Sequence, residues 1–267
     1  MRRPPAVAGR FYGGNAGQLA AEVSQFVISG MKRRKVIGGV SPHAGLMYSG
    51  RVAGMLYSSI VMPETFIMLG PNHHGQGANM AIMSSGEWEI PSAVFKIDDA
   101  LASDMLASMP MLTEDPQAHT YEHSIELQLP FLAEAADKIK IVPVVTGQAT
   151  IEECAAAGRG MAAAIRKSGR EVVIIASSDM SHYVEDAVAR EMDGHAIKKI
   201  LDLDPEGLYS TVVGKGITMC GFIPATIMLY AALELGATET MLVKYATSGE
   251  VNREFESVVG YASITVK

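Results

Sequence analysis

The sequence predicts a single α/β domain spanning residues 1–267, with a mostly parallel central sheet covered by helices on both faces. Three observations carry this. Short apolar runs rich in Val and Ile alternate with longer segments of helical spacing, the rhythm of βαβ units. Runs such as Val172-Val173-Ile174-Ile175-Ala176 are apolar throughout, as a strand buried on both faces requires. No repeat, linker or composition break divides the chain, and 48% apolar content supplies one core.

The elements follow in order. Apolar residues at helical spacing predict a helix over 16–30, and the turn at Gly30 leads into a strand over 36–40. A helix over 52–61 precedes the strand 66–69, which stops at Gly70-Pro71. Residues 79–84 followed by 86–91 read as a hairpin excursion. Helical spacing returns over 98–108 and 124–136, and the strand 139–145 ends before Gly147. The helix 151–168 and the strand 172–176 form the next unit. Helices over 186–201 and 224–235 lead to strands at 241–245 and 258–266. The last of these partly alternates, as an edge or antiparallel strand does.

The net charge of −7 and the lack of basic runs beyond Lys32-Arg33-Arg34-Lys35, placed on a solvated helix end, argue against nucleic acid or an anionic membrane as partner. No apolar stretch approaches the ~20 residues that span a bilayer, and the first residues lead into no signal-type core. A cytoplasmic protein is expected. Its two cysteines, Cys154 and Cys220, are expected to be free thiols, and the seventeen methionines to fill the core.

Six of the seven histidines fall in four polar clusters: Pro42-His43-Ala44-Gly45, Pro71-Asn72-His73-His74-Gly75, His119-Thr120-Tyr121-Glu122-His123 and Ser177-Ser178-Asp179-Met180-Ser181-His182. Strand ends of an α/β sheet converge on one crevice, so distant residues can meet there. Neutral imidazole is a common ligand for Zn, Fe and Cu, and His43 and His73 stand in tight turns after strands. His73 and His74 point in different directions, so one of them lies outside any shared ion's ligands.

Asp179 and His182 can orient and transfer a proton; alternatively, Asp179 or Ser181 caps the helix starting near Val184. A helix starting at Ser124 would put His123 at its positive end and favour neutral imidazole. Glu126 reads equally as a first-turn carboxylate or a site residue. Cys220, just before a helix opening near Pro224, sits where thiolate is favoured, or is a small buried hydrophobe.

These motifs, with Ala6-Val7-Ala8-Gly9-Arg10-Phe11-Tyr12 at the start and Thr218-Met219-Cys220-Gly221 near the end, resemble the Memo family nearly end to end. Its prokaryotic members include the B component of the AmmeMemoRadiSam system. The resemblance implies a fold like that of the class III extradiol dioxygenases, which hold non-haem iron with two histidines and a glutamate. It places metal ligands at His43, His73 and Cys220, with Asp179, His182 and His123 as acid-base groups. Cysteine in place of a carboxylate softens the site toward iron or copper, with zinc possible. The implied function is redox or oxygen chemistry on a small molecule, with other AmmeMemoRadiSam components as possible partners. Two other readings stand beside it. One is an interaction module that holds a peptide or partner protein in the cleft. The other is a zinc- or thiol-dependent hydrolase or transferase with Cys220 as nucleophile and His182 as base.

Overall fold

A computed structural model describes residues 1–136 and 138–267. Its strands are β1 (Arg2–Arg3), β2 (Gly38–Ser41), β3 (Thr65–Pro71), β4 (Met80–Ile82), β5 (Glu87–Ile90), β6 (Ala93–Ile97), β7 (Thr113–Glu114), β8 (Lys140–Thr146), β9 (Val172–Ser177), β10 (His182–Val184), β11 (Thr240–Thr247) and β12 (Val258–Val266). The helices are α1 (Ala16–Val23), α2 (Leu46–Ser59), α3 (Asp99–Ser108), α4 (Leu129–Ala135), α5 (Ile151–Ser168), α6 (Asp186–Leu201), α7 (Pro205–Lys215), α8 (Phe222–Glu234) and the short α9 (Gly249–Asn252).

The strands form one sheet whose middle, in the order β8-β3-β9-β2, is parallel. Beyond β2 it continues antiparallel through β12, which also pairs with β10 and β11. The antiparallel expectation for β12 is met, with the same bounds, but it is covered on its flanks rather than being an edge. Two adjacent glycines show the layering. A Cβ on Gly38 would meet Met228 of α8 at 2.9 Å, and one on Gly39 would meet Leu56 of α2 at 3.3 Å. Successive residues face opposite sides of a strand, so α8 and α2 cover opposite faces. The core is continuous across both layers.

Several boundaries differ from the sequence reading. Helix α1 ends at Val23 instead of reaching Gly30, because the chain turns to lay Phe26 against α2. Helix α2 begins at Leu46, six residues before the expected Val52, and so starts directly behind the His43 turn. Lys32 to Lys35 lie on an exposed extended segment, not a helix end, and Lys35 pairs with Glu171. The hairpin is built from β5 and β6, while β4 pairs with β7 and β8. Helix α7 was not foreseen. Among the described residues, no helix is long and apolar enough to cross a membrane.

One ion pair with a buried carboxylate ties the sheet to its helices. Asp98 caps α3 through Leu101 N and also accepts from Thr65 Oγ1 and Arg170. Burial would raise its pKa, but the bonds from Arg170, Thr65 and Leu101 outweigh this and lower it. A carboxyl with a depressed folded pKa stabilises above its unfolded value and loses that contribution as pH falls through the folded one. Asp98→Asn keeps a capping side chain and removes only the charge. It should cost about 1.5–3 kcal/mol at pH 7 and progressively less toward pH 3. Urea unfolding at both pH values checks this, and a pH-independent loss would contradict it.

Candidate metal centre at the sheet edge

Because β2, β3 and β9 run parallel and in register, their C-terminal ends open on one side, where doubly wound sheets place their sites. A cleft of about 620 Å³ lies there. His43 follows β2, His73 follows β3 and Asp179 follows β9. His123 comes from the loop before α4, which packs so tightly on β3 that a Cβ on Gly70 would strike Ser124 Oγ at 2.3 Å. Cys220 is brought in the same way, since a Cβ on Gly221 would meet Ser177 O at 2.2 Å.

His43, His73 and His123 each offer one ligand atom, and these lie within 4.8 Å of one another. The ring of His73 stacks on His123 with centroids 4.6 Å apart, and His43 meets both edge-on. Hydrogen bonds fix two of the tautomers. Ser177 Oγ spends its one proton on Ser124 O at 2.7 Å and accepts from Gln128 Nε2 at 2.8 Å, so His43 Nδ1, 2.9 Å away, must be the donor. His73 Nδ1 faces Glu122 Oε1 at 2.9 Å, and a carboxylate accepts. Both rings therefore keep a bare Nε2 lone pair, as a metal ligand requires.

For His43 and His123, protonation points the same way. Burial, reinforced by His73 and His123, holds His43 well below the usual histidine range. Burial likewise lowers His123 to about 4. His123 is not at an α-helix N-terminus as expected: residues 126–128 form a 3₁₀ turn, and α4 opens only at Leu129. Its neutrality comes from burial, not from a dipole. Burial also disfavours charge on His73, but the hydrogen bond and charge of Glu122 outweigh it and lift that pKa.

Glu122, to which the sequence reading assigned no role, organises this loop. Fully buried, it accepts from His73 N, His73 Nδ1, His123 N and Ser124 N. Burial would raise its pKa, yet His73 and these amides keep it well below the usual range. A second group, His74, Glu122 and His123, also has ligand-like spacing. Its carboxylate is already spent on four donors, so that set is the weaker candidate. His74 itself is exposed on the cleft rim.

Asp179 is buried, and its Oδ1 accepts from His43 N at 2.7 Å and Ala44 N at 3.3 Å. It holds the His43 turn. Burial keeps its pKa above the usual range despite these amides. Neither Asp179 nor Ser181 caps α6, which starts at Asp186 with Glu185 at the cap position. His182 Nδ1 donates to Thr218 O at 2.9 Å, leaving Nε2 bare toward the cleft it lines.

Cys220 Sγ lies 3.4 Å from His43 Nε2 and accepts from Asp179 N at 3.3 Å. It is beside the imidazoles but is not in either three-ligand group among the described residues. Cys220 does stand just before a helix, since α8 opens at Phe222, but burial, then the Asp179 carboxylate, pushes the thiol pKa up. That counts against Cys220 as a nucleophile.

Glu126 is a first-turn carboxylate of the 3₁₀ turn and does not line the cleft. It is buried and receives Arg3, Ala6 N, Val7 N and Tyr12 OH, pinning the N-terminal arm. His119 is buried edge-on against Trp88, and its carbonyl accepts from Arg3 Nε.

Comparison with known proteins decides the family, since the family described as Memo-like protein matches residues 3–265. The chain belongs to the Memo family. A MEMO1 family protein of Methanosarcina barkeri is 39% identical over 99% of this chain and 100% of its own length. One from Pyrobaculum aerophilum is 38% identical over 98% of each. An uncharacterized protein of Escherichia coli K12 shares the fold with a TM-score of 0.60, covering 86% of this chain and 100% of its own at 14% identity. In this Memo-family chain, as in the sequence reading, the histidine motifs meet in one cleft.

Proposed function

We propose that the cleft is a mononuclear metal centre for iron or copper, with zinc the alternative, held by His43, His73 and His123 with Cys220 as a further donor beside His43. The supporting observation is the convergence of three imidazoles, two with their Nδ1–H engaged and Nε2 bare, on one cleft floor. The donor set fits: imidazole suits iron, copper and zinc, and a nearby sulfur favours the softer ions. A bound ion would supply redox or oxygen chemistry to a small molecule, making the protein an oxidoreductase. His182, with its free Nε2, would hold or pass a proton, and Asp179 would keep His43 in place.

Protein purified anaerobically should contain close to one iron or copper per chain. His43→Ala and His73→Ala should each reduce it more than tenfold, as should His123→Ala. Cys220→Ser should retain part of the metal and lose any thiolate-to-metal charge-transfer band. Full metal content in all three histidine variants would exclude the assignment.

A further inference from the structure

The N-terminal arm lines the cleft through Ala6, Val7, Arg10 and Phe11. Arg10 is the one Lys or Arg among the residues lining the cleft. It is exposed and has no ion-pair partner among the described residues. Glu22, which shares an adjoining hollow with it, has its carboxylate engaged by Gly13 N. A lone cation lining the cleft attracts an anion locally, against the −7 net charge of the whole chain.

The backbone beneath Arg10 is held in place. Residues 7–12 form a tight turn in which Arg10 N and Phe11 N donate to Val7 O, and Gly9 N donates to Tyr12 O. Gly9 supplies the left-handed backbone this needs, with φ of 76°. Buried Glu126 grips Ala6 N and Val7 N at one end and Tyr12 OH at the other. The turn also sets Phe11 edge-on to His123 at 5.0 Å, and Phe11 O accepts from Leu46 N, the first amide of α2. The turn is thereby fixed relative to the imidazoles, which lowers the ordering cost of binding.

Two further features define the occupant. Gly45 lines the cleft at the N-terminus of α2, where Leu46 N already donates to Phe11 O and Tyr48 N to Gly45 O, so the helix end contributes its dipole rather than free donors. One guanidinium plus about half a charge from a helix end matches a monoanion better than a phosphate dianion. Ala6, Val7, Phe11, Ala44 and Val259 give the wall apolar surface beside the histidines, and Tyr121 and Tyr183 line it 59% and 79% exposed.

We propose that the cleft takes a small, flat, carboxylate-bearing molecule, its carboxylate gripped by Arg10 and its body between Phe11 and the rim tyrosines. This rests on the metal-centre reading only for what happens at the imidazole end.

Calorimetric titration of metal-loaded and chelator-treated protein with benzoate, benzamide, acetate and inorganic phosphate tests it. Benzoate should bind ~10- to 100-fold more tightly than benzamide and more tightly than acetate, with or without metal. Arg10→Gln, at an exposed position of the turn, should erase the preference for benzoate over benzamide. Benzoate binding unaffected by Arg10→Gln would overturn the proposal, as would phosphate binding more tightly than benzoate. Metal content of the same samples separates the readings: metal absent with Arg10-dependent benzoate binding breaks the metal centre alone, and metal present with Arg10-independent binding breaks this proposal alone.

Discussion

Glu126→Ala should lower the unfolding free energy by about 3–5 kcal/mol, the cost of stripping one partner from a buried ion pair. Arg3 and Glu126 are 2% and 0% exposed, so neither has water to fall back on. The substitution strands a guanidinium, two backbone amides and the Tyr12 hydroxyl in the interior. Part of the guanidinium's cost is softened by the His119 and Glu122 carbonyls, and by Trp88, whose ring centroid lies 4.2 Å from Arg3 Cζ. Arg3→Met combined with Glu126→Gln should be less damaging than Glu126→Ala, because no charge is then left unpaired. Denaturant unfolding of the two variants checks the order. A loss below 1 kcal/mol in Glu126→Ala would mean that the arm is not locked through this carboxylate.

The second large effect is expected from Glu122→Gln. Residues that orient metal-ligating histidines typically contribute 10- to 100-fold to metal affinity, and Glu122 both sets the His73 tautomer and shapes the backbone of His73, His123 and Ser124. Glutamine can present only one carbonyl oxygen to these four donors, and its NH₂ faces other donors. A stability loss of about 1–3 kcal/mol should accompany the weaker metal binding. The sign with pH follows from the depressed pKa of Glu122. Its contribution is present above the unfolded carboxyl value and is lost as pH falls through the folded one, so in metal-free protein the variant and the parent should converge in acid. Competition with a chromogenic chelator and acid unfolding curves measure both effects. Unchanged metal affinity would show that His73 needs no carboxylate to be oriented.

How much of this was legible depended on whether the cause was local. The strands β3, β8 and β9 announce themselves because burial on both faces demands predominantly apolar runs, and β12 by its partial alternation. The turns after them are equally visible, since Pro, Gly and His in a short polar stretch have few other uses, and His43, His73, Asp179 and His182 were found that way. The start of α2 was not visible, because Tyr48, Ser49, Gly50 and Arg51 break the apolar period while Gly50 and Gly54 accommodate Phe26 from a distant segment. The same holds for His123. Its place beside His43 and His73 depends on Gly70 letting the loop sit on β3, a contact that no periodicity encodes.

The sequence by itself determined the α/β class, the family and the set of strand-end residues, because hydrophobic period and turn chemistry act over a few neighbouring residues. Only the tertiary structure decided which of those residues meet. It placed His123 with the imidazole pair, gave Glu122, Ser177 and Gln128 the task of fixing tautomers, and turned Glu126 from a site candidate into the anchor of the arm that carries Arg10. Those assignments rest on hydrogen bonds spanning 49 to 134 residues of sequence, within an interior where burial sets the charge state. Such pairings come from how the layers pack, and only the folded chain shows them.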